Sequence, residues 1–421
     1  MHATVVNDVR FGDVNRRRDL AMVGGRIVDS STIDRRSLNA DVIDGAGLLA
    51  IPSFVEPHLH LDKALLNRVH PSLTGTLADA IAVTAGLKAK FDRADILSRS
   101  REVLERAITN GTTLARVHAE VDPTVGLLSV EAMVELREEY RGTLELQIVA
   151  FPQEGIFSRP GTLPLLEAAL RLGANVIGGC PYSERDVDDA RRHVKVVFDL
   201  AERFGVPADF HADFADDASD ARFALIDDIA EHTSARGLQH RVVAGHLTSL
   251  AASSPRARQE TIARIADAGV SVIALPATDL HLGGRNDDRA VRRGITPIAE
   301  LAAAGVRVAM SSNNVRNAFT PFGNVDQLQN ALLLAQTAHL STDAELELVL
   351  RMVTTGAAEI LGVSNHVADI GGDGDLVLVD AARPTQAILD QSPRRKVFAR
   401  GTVVAETVVE VHRYRARVDF S

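Results

Sequence analysis

The chain lacks the residues on which several classes of protein depend. It has one cysteine and no tryptophan in 421 residues, and aromatic residues make up only 4%. A single cysteine excludes a disulfide framework and is typical of a protein from a reducing cytoplasm. No apolar run reaches the ~18 residues of a membrane-spanning helix, and the N-terminus lacks the apolar core of a signal peptide. We therefore expect a cytoplasmic protein with no membrane partner.

Clusters of basic residues are also scarce. The net charge is −10, and the basic run Arg16-Arg17-Arg18 is short and has no interleaved aromatic residues. These features argue against a nucleic-acid partner. Hydrophobic residues make up 46% and charged residues 24%, which is an ordinary globular balance. The length is sufficient for a large core, either one barrel with an accessory unit or two domains.

Between residues 48 and 313, β-like runs alternate with amphipathic helical stretches. Most of the runs are continuous Val, Ile, Leu and Ala, as expected of parallel strands that are buried on both faces. Gly205 and Gly269 each stand just before such a run, where a helix is expected to end. The predicted strands are Leu48–Leu61, Thr112–Ala119, Glu145–Pro152, Asn175–Cys180, Ala208–Asp213, Arg241–His246, Ser271–Pro276 and Arg307–Ser312. Eight strands alternating with helices predict an α/β fold of the (β/α)8 TIM-barrel type, although a doubly wound sheet shows the same alternation.

The two ends of the chain contain short β-like pieces instead. Gly24-Gly25 and Arg400-Gly401 are predicted to be the turns of two hairpins. The predicted strands are Thr4–Val9, Asp19–Val23, Arg26–Asp29, Leu376–Val379, Lys396–Ala399 and Thr402–Ala405. Neither end could bury a core alone. We therefore predict a small β-sandwich domain made of residues 1–50 plus 366–421, beside a barrel over residues 51–365.

Histidines stand where several predicted strands end. Residues i and i+2 of a strand point to the same face, so His58 and His60 project side by side. His118, His211 and His246 end the second, fifth and sixth strands. The active site of a TIM barrel lies at these strand ends, and converging imidazoles suit a divalent transition metal. Such an ion lowers the pKa of water and supplies a nucleophile for an electrophilic carbon.

The fourth predicted strand bears on the number of metal ions. It ends without a lysine, so the bridging carboxylated lysine of a two-metal centre is missing there. A mononuclear site is therefore favoured. Cys180 could serve as a soft ligand, but a small buried residue is the better interpretation.

Several segments together carry a resemblance to a known family. They are P-S-F-V-E-P-H-L-H-L-D-K (52–63), Q-I-V-A-F-P-Q-E-G-I (147–156), H-A-D-F-A-D-D (211–217), G-H-L-T-S (245–249), H-L-G-G-R (281–285), R-R-G-I-T (292–296) and N-N-V-R-N-A-F-T-P-F-G-N (313–324). The chain resembles the cytosine deaminase branch of the amidohydrolase superfamily, which also includes enzymes that act on triazine rings. The resemblance spans nearly the whole chain in the family's order.

The resemblance implies roles for individual residues. His58, His60 and His211 match the ligands of one divalent ion, Zn²⁺ or Fe²⁺, and His246 matches the histidine near the metal water. We expect a small heterocyclic substrate to be bound by four side chains: Gln153, Phe214, Asn314 and Phe319. Relatives are often oligomers, so a homo-oligomer is expected.

Three positions depart from the family pattern. The last metal-site residue of the family is an aspartate, but here Asn313 occupies that position and Asn317 replaces a second aspartate. Asn313 offers only an uncharged carbonyl oxygen, so it would be a weak or absent fourth ligand at the catalytic position. Phe214 stands where cytosine deaminases have a glutamate that moves protons, which argues against cytosine as the substrate.

Three explanations of Asn313 remain open. The residue could be a substitution made to trap a ligand, the protein could use another base, or catalysis could be lost while binding is retained. The candidates for another base are His246, Asp213 and Asp216. The sequence thus predicts a metal-dependent hydrolase of a C–N bond in a small nitrogen heterocycle, with a catalytically impaired ring-binding homologue as the alternative.

Overall fold

The computed structural model describes residues 3–32, 40–70 and 74–414, and it places them in two eight-stranded sheets. The predicted end domain includes residues 1–2, 33–39 and 415–421, which lie outside the described residues. None of the described helices has the length and apolar composition to cross a membrane.

The first strands of the chain begin the smaller sheet. They are β1 (Ala3–Phe11), β2 (Asp13–Val23), β3 (Arg26–Val28), β4 (Ala40–Asp44) and β5 (Leu49–Pro52). β2 and β3 are antiparallel, and they are joined by Gly24 and Gly25, whose φ values are 58° and 81°. Residues with a side chain rarely adopt this backbone conformation, so the glycines allow the predicted hairpin turn.

The middle of the chain forms the larger sheet. Its strands are β6 (Phe54–Leu59), β7 (Thr112–Glu120), β8 (Glu145–Phe151), β9 (Val176–Gly179), β10 (Ala208–Ala212), β11 (Val242–His246), β12 (Ser271–Ala274) and β13 (Val308–Met310). Neighbouring strands pair in parallel and in chain order. The ends meet after β13, where Asn313 N–H donates to the carbonyl of His58 at 3.1 Å and His60 N–H donates to that of Asn313 at 2.8 Å. This confirms the predicted barrel.

The helices surround the barrel and join its strands. They are α1 (Leu77–Lys88), α2 (Arg93–Thr109), α3 (Leu128–Glu139), α4 (Thr162–Leu172), α5 (Val187–Phe204), α6 (Ile226–Ala235), α7 (Pro255–Ala268), α8 (Pro276–Leu282), α9 (Ile298–Ala303), α10 (Gln327–Ala338), α11 (Asp343–Arg351), α12 (Thr355–Ile360) and α13 (Gln386–Leu389). Gly205 and Gly269 follow α5 and α7 with φ of 69° and 64°, in the left-handed conformation expected at a helix end.

The chain returns to the smaller sheet at its far end. The last strands are β14 (Leu376–Val379), β15 (Arg394–Ala399) and β16 (Thr402–Glu406), and β14 pairs antiparallel with β5. Leu376 and Leu378 pack in the core of the smaller sheet, whereas Val377 and Val379 pack in the barrel core. Successive residues of a strand point to opposite faces, so one strand serves two cores.

The prediction of a single strand over Leu48–Leu61 is wrong. In the structure β5 ends at Pro52 and belongs to the smaller sheet, and β6 begins at Phe54 and belongs to the barrel. The run is apolar throughout because both strands are buried, so its hydrophobicity does not mark the change at Ser53. The exact division into residues 1–50 plus 366–421 and 51–365 stays a prediction.

Candidate active site

Three of the predicted histidines converge at the carboxyl ends of the barrel strands. The Nε2 of His211 lies 3.1 Å from the Nε2 of His58 and 3.0 Å from that of His60. All three side chains are buried, and burial lowers the pKa of each well below its ordinary value. The neutral imidazole that results is the form that binds a metal ion.

A fourth histidine belongs to the same cluster. The ring of His118 lies 4.0 Å from that of His58, measured between centroids. His58, His118 and His211 also form a group whose possible ligand atoms all lie within 4.8 Å of one another. The predicted ligand set included His60 and left out His118. The structure therefore offers His118 as an alternative donor to His60.

A buried carboxylate lies beneath the imidazoles. Asp209 precedes His211 by two residues on β10, so both side chains project from the same face of the strand. Its Oδ2 accepts from Arg116 Nη1 at 2.8 Å, and its Oδ1 is 3.4 Å from His118 Nε2. Burial raises the pKa of Asp209, but His118 and Arg116 together hold it below its ordinary value. The sequence analysis missed Asp209, although the two-residue spacing could have revealed it.

Unpaired polar atoms mark the cluster as a metal site. Within the described residues, the buried Oδ1 of Asn313 and the Nδ1 atoms of His58, His60 and His211 have no hydrogen-bond partner. Buried polar atoms of a folded protein almost always have a partner, so an exception calls for a ligand. Neutral imidazoles with one amide oxygen are a donor set that Zn²⁺ or Fe²⁺ accepts. The residues present therefore fit a divalent ion.

His246 lies beside the cluster, with its ring centroid 5.3 Å from that of His211. Its Nδ1 is 2.7 Å from Asp279 Oδ1, and the ring of Phe214 stacks on its imidazole at 4.1 Å with an angle of 22°. Burial raises the pKa of Asp279 even though His246 stands beside it. The sequence analysis missed Asp279, which lies 33 residues from His246 in the chain. No local spacing connects two residues on different barrel segments.

The other candidate bases do not face the cavity. The carboxylate of Asp213 accepts from the backbone N–H groups of Leu225 and Ile226 at 2.8 and 3.2 Å, where α6 begins. The Oδ1 of Asp216 accepts from the backbone N–H of Gly284 at 2.7 Å. Both carboxylates therefore hold loops, and His246 is the candidate base that lines the cavity.

Two residues of the site have a strained backbone. His246 and Asn313 have φ of 75° and 58°, in the left-handed region that residues with a side chain rarely adopt. Such conformations persist when the surrounding structure imposes them, and they cluster at active sites. Here the strained backbone turns both side chains towards the cavity.

The structure brings the predicted substrate residues together with the metal and catalytic candidates. His58 lies behind His60 and His211. The wall of the cavity includes eight predicted residues: His60, Gln153, Phe214, His211, His246, Asn313, Asn314 and Phe319. It also includes Lys63, Leu77, Ile81, Tyr182 and Thr278, which the prediction left out. Cys180 is buried outside this wall, and burial raises the pKa of its thiol to about 11.

Lys63 connects the cavity to a buried chain of charges. Its Nζ donates to Gln153 Oε1 at 2.8 Å and to Glu120 Oε1 at 2.7 Å. Glu120 also pairs with Lys88, and although burial raises the pKa of Glu120, the two lysines lower it to about 2. Glu154, the neighbour of Gln153 in the chain, accepts from Lys88 Nζ at 2.6 Å. Lys63 therefore fixes the amide of Gln153.

The chain is similar to known proteins over nearly its whole length. The Amidohydrolase family model matches residues 41–410. 5-Methylcytosine deaminase from Klebsiella pneumoniae, solved with 5-fluorocytosine, is 28% identical over 98% of this chain and 99% of its own, with a TM-score of 0.89. N-isopropylammelide isopropylaminohydrolase from Burkholderia multivorans is 32% identical over 96% of this chain and 99% of its own, with a TM-score of 0.83. Pterin deaminase from Rhizobium rhizogenes is 30% identical over 92% of this chain and 88% of its own.

Proposed function

The chain belongs to the amidohydrolase family and is a hydrolase of carbon–nitrogen bonds, and from this premise we propose that it removes an exocyclic amine from a small nitrogen heterocycle. The observation that carries the proposal is the convergence of three neutral imidazoles beside the His246–Asp279 pair. Similar proteins named for action on 5-methylcytosine, N-isopropylammelide and pterin support a pyrimidine, triazine or pteridine ring.

One divalent ion is proposed as the cofactor. His58, His60 and His211 would hold Zn²⁺ or Fe²⁺ with Asn313 Oδ1 as a weak fourth donor, and His118 is the alternative to His60. When bound, such an ion makes water nucleophilic at neutral pH. The reaction adds water to a ring carbon and breaks the exocyclic C–N bond, and the amine departs with a proton.

His246 is the group that we assign to proton movement. Asp279 accepts from its Nδ1–H, which leaves Nε2 as the proton acceptor. The same nitrogen can then give the proton to the departing amine. Phe214 lies flat against the imidazole and excludes water from that side. This arrangement takes over the role that the glutamate has in cytosine deaminases.

The second candidate function is ring binding without turnover. Asn313 favours it, because an amide cannot accept a proton at neutral pH and leaves the site one negative charge short of the family pattern. Replacement of Asn313 by aspartate distinguishes the two. Turnover in the chain as it stands supports the hydrolase, whereas turnover only in Asn313→Asp supports a binding protein.

The first test measures metal content per chain by mass spectrometry together with ammonia or amine release from a panel of aminopyrimidines, aminotriazines and pterins. We expect about one ion per chain, with loss of both the ion and turnover in His211→Ala. His412→Ala, on an exposed C-terminal histidine, is the matched control and should change neither. Unchanged metal content and turnover in His211→Ala would overturn the proposal.

A further inference from the structure

The inner cavity presents an unusual balance of charge to its ligand. Among the described residues that form its wall, Lys63 is the one lysine or arginine, and there is no aspartate or glutamate. The carboxylates nearby are turned away: Glu120 binds Lys63 and Lys88, and Asp279 lies behind His246. A bound ion would add further positive charge. Among the described residues of the wall, a ligand therefore meets the cation of Lys63 and no carboxylate.

The amide of Gln153 adds to the donors. Its Oε1 accepts from Lys63 Nζ at 2.8 Å, and because a lysine can only donate, this contact identifies the oxygen. The Nε2 makes one weak contact, to Cys180 Sγ at 3.9 Å. The N–H groups of Gln153 are thus the part of the side chain that remains for a ligand. Lys63 has three N–H groups and uses two, so it also keeps one donor.

A second amide in the wall of the cavity, that of Asn314, is oriented in the same sense. Asn317 Oδ1 accepts from the backbone N–H groups of Phe319 and Thr320 at 3.0 and 3.1 Å. Asn317 must therefore offer its Nδ2, which donates to Asn314 Oδ1 at 2.7 Å. The Nδ2 of Asn314 makes no hydrogen bond within the described part of the chain. Asn314 consequently keeps its donors for the ligand, as Gln153 does.

These orientations rest on the same substitutions that weaken the family pattern. Asn317 replaces an aspartate, and only an asparagine can donate to Asn314 in this geometry. Phe214 removes a carboxylate that would accept from a ring N–H. Both substitutions therefore remove a hydrogen-bond acceptor. Asn317 puts a donor in its place, and Phe214 puts an apolar surface in its place.

We propose, on the basis of the proposed function, that the substrate is bound through an anionic, acceptor-rich edge. The chemistry that fits is a heterocycle with oxo groups whose ring has lost a proton, so that the negative charge is shared by the ring and its oxygen atoms. Lys63, Gln153 and Asn314 donate to this edge. A neutral ring that offers N–H donors there would leave them without acceptors, which lowers affinity on the order of 10–100-fold. The same donors would also bind a carboxylate that the ring carries as a substituent.

Isothermal titration calorimetry of the metal-loaded protein at neutral pH tests the inference. Barbituric acid provides the ring anion, orotic acid provides the substituent carboxylate, and uracil is the neutral ring of the same size. We expect barbiturate to bind at least tenfold more tightly than uracil. Orotate tighter than barbiturate would assign the anion to a substituent, and it would support the same donor set.

Two variants separate these side chains from a general attraction of anions to the metal ion. Gln153→Glu and Asn314→Asp each replace donors by an acceptor of the same size, and each should lower the ratio of anion to uracil affinity about tenfold or more. Gln259→Glu adds the same charge on the exposed face of α7 and should leave the ratio unchanged. Metal content and circular dichroism of each variant verify that it is folded.

Each outcome supports or overturns one claim. Equal affinity for barbiturate, orotate and uracil overturns the inference, and so does an anion preference that both variants retain. Turnover without anion preference leaves the proposed hydrolase in place and removes only this inference. Anion preference that the variants abolish, with no turnover of any ring, keeps the inference and removes the hydrolase.

Discussion

The two ends of the barrel bury polar groups in different ways. At the carboxyl ends of the strands, the Nδ1 atoms of four histidines and the Oδ1 of Asn313 have no hydrogen-bond partner in the described part of the chain, and the backbone of Asn313 is in the left-handed region. At the opposite end, where the smaller sheet joins, Ser53 Oγ contacts Thr113 Oγ1 at 2.6 Å and His366 Nε2 lies 2.8 Å from the carbonyl of Ser53. Those groups are paired with one another.

The difference separates function from stability. Satisfied hydrogen bonds at the junction of two sheets stabilise the fold, whereas unpaired buried atoms cost free energy unless a ligand binds them. The end of the barrel where the smaller sheet joins is called the lower end, and the end with the histidines is called the upper end. Phe54 and Val377 pack tightly at the lower end, because both approach the backbone of Gly111 so closely that a methyl group there would meet them at 2.9 and 3.0 Å. At the upper end, buried polar atoms are left unpaired, and a binding site is formed there.

The comparison is tested most strongly by His246→Gln. Glutamine can still donate to Asp279 but cannot take up a proton, so turnover should fall ~10²–10⁴-fold. Metal content and the midpoint of thermal unfolding should stay near those of the parent. A variant that keeps its turnover would show that proton movement does not depend on His246.

Phe54→Ala should produce the largest effect at the lower end. Removal of a fully buried aromatic ring leaves a cavity between the two sheets and should lower the free energy of unfolding by about 3–5 kcal/mol. Turnover per folded molecule should be unchanged, since Phe54 lies at the start of β6, away from the cavity. Denaturant unfolding measures the first effect, and activity corrected for folded fraction measures the second. A selective loss of turnover would contradict the separation of the two ends.

Glu184, a carboxylate near the site, should contribute to stability as the paired groups of the lower end do. Glu184 accepts from the backbone N–H groups of Ile156 and Ser158 at 2.6 and 2.8 Å and contacts His193 Nδ1 at 2.7 Å. Burial raises its pKa, but these partners together lower it to about 2. The carboxylate therefore contributes stability above the unfolded pKa, and this stability is lost as the pH falls from about 4.5 towards 2.

Glu184→Gln should remove that pH dependence. The parent should exceed the variant by about 2–3 kcal/mol in free energy of unfolding at neutral pH, and the gap should narrow in acid. Urea unfolding of both proteins across this pH range measures the gap. A difference that stays constant with pH would mean that the charge of Glu184 is not what holds the loop after β8.

The smallest expected effect comes from Ser53→Ala. The change removes one hydroxyl and leaves Thr113 without its partner, so the free energy of unfolding should fall by about 1–2 kcal/mol. Turnover should not change. Thr84→Ala is a useful contrast. Thr84 lines a second pocket, which also includes Gln153 and Phe319, and the substitution breaks no pair of hydroxyl groups there. An effect on turnover from Ser53→Ala alone would show that the two ends are coupled.

Much of the fold follows from local pattern. Alternation of buried strands with helices predicted the barrel, and glycines with positive φ marked the hairpin at Gly24-Gly25 and the ends of α5 and α7. The two-residue period of a strand predicted that His58 and His60 share a face. The boundary at Ser53 could not be predicted in this way, because strands of both sheets are buried and equally apolar.

The sequence by itself determined the family, the barrel and the histidines at its strand ends, since these depend on periodicity and on motifs within short segments. Only the tertiary structure decided that His118 joins the cluster, that Asp279 supports His246, and that Lys63 and Asn317 turn two amides towards the cavity as donors. Those contacts depend on how eight strands close into a barrel. Closure brings together side chains from segments that are far apart in the chain, and no local spacing records which atoms then meet.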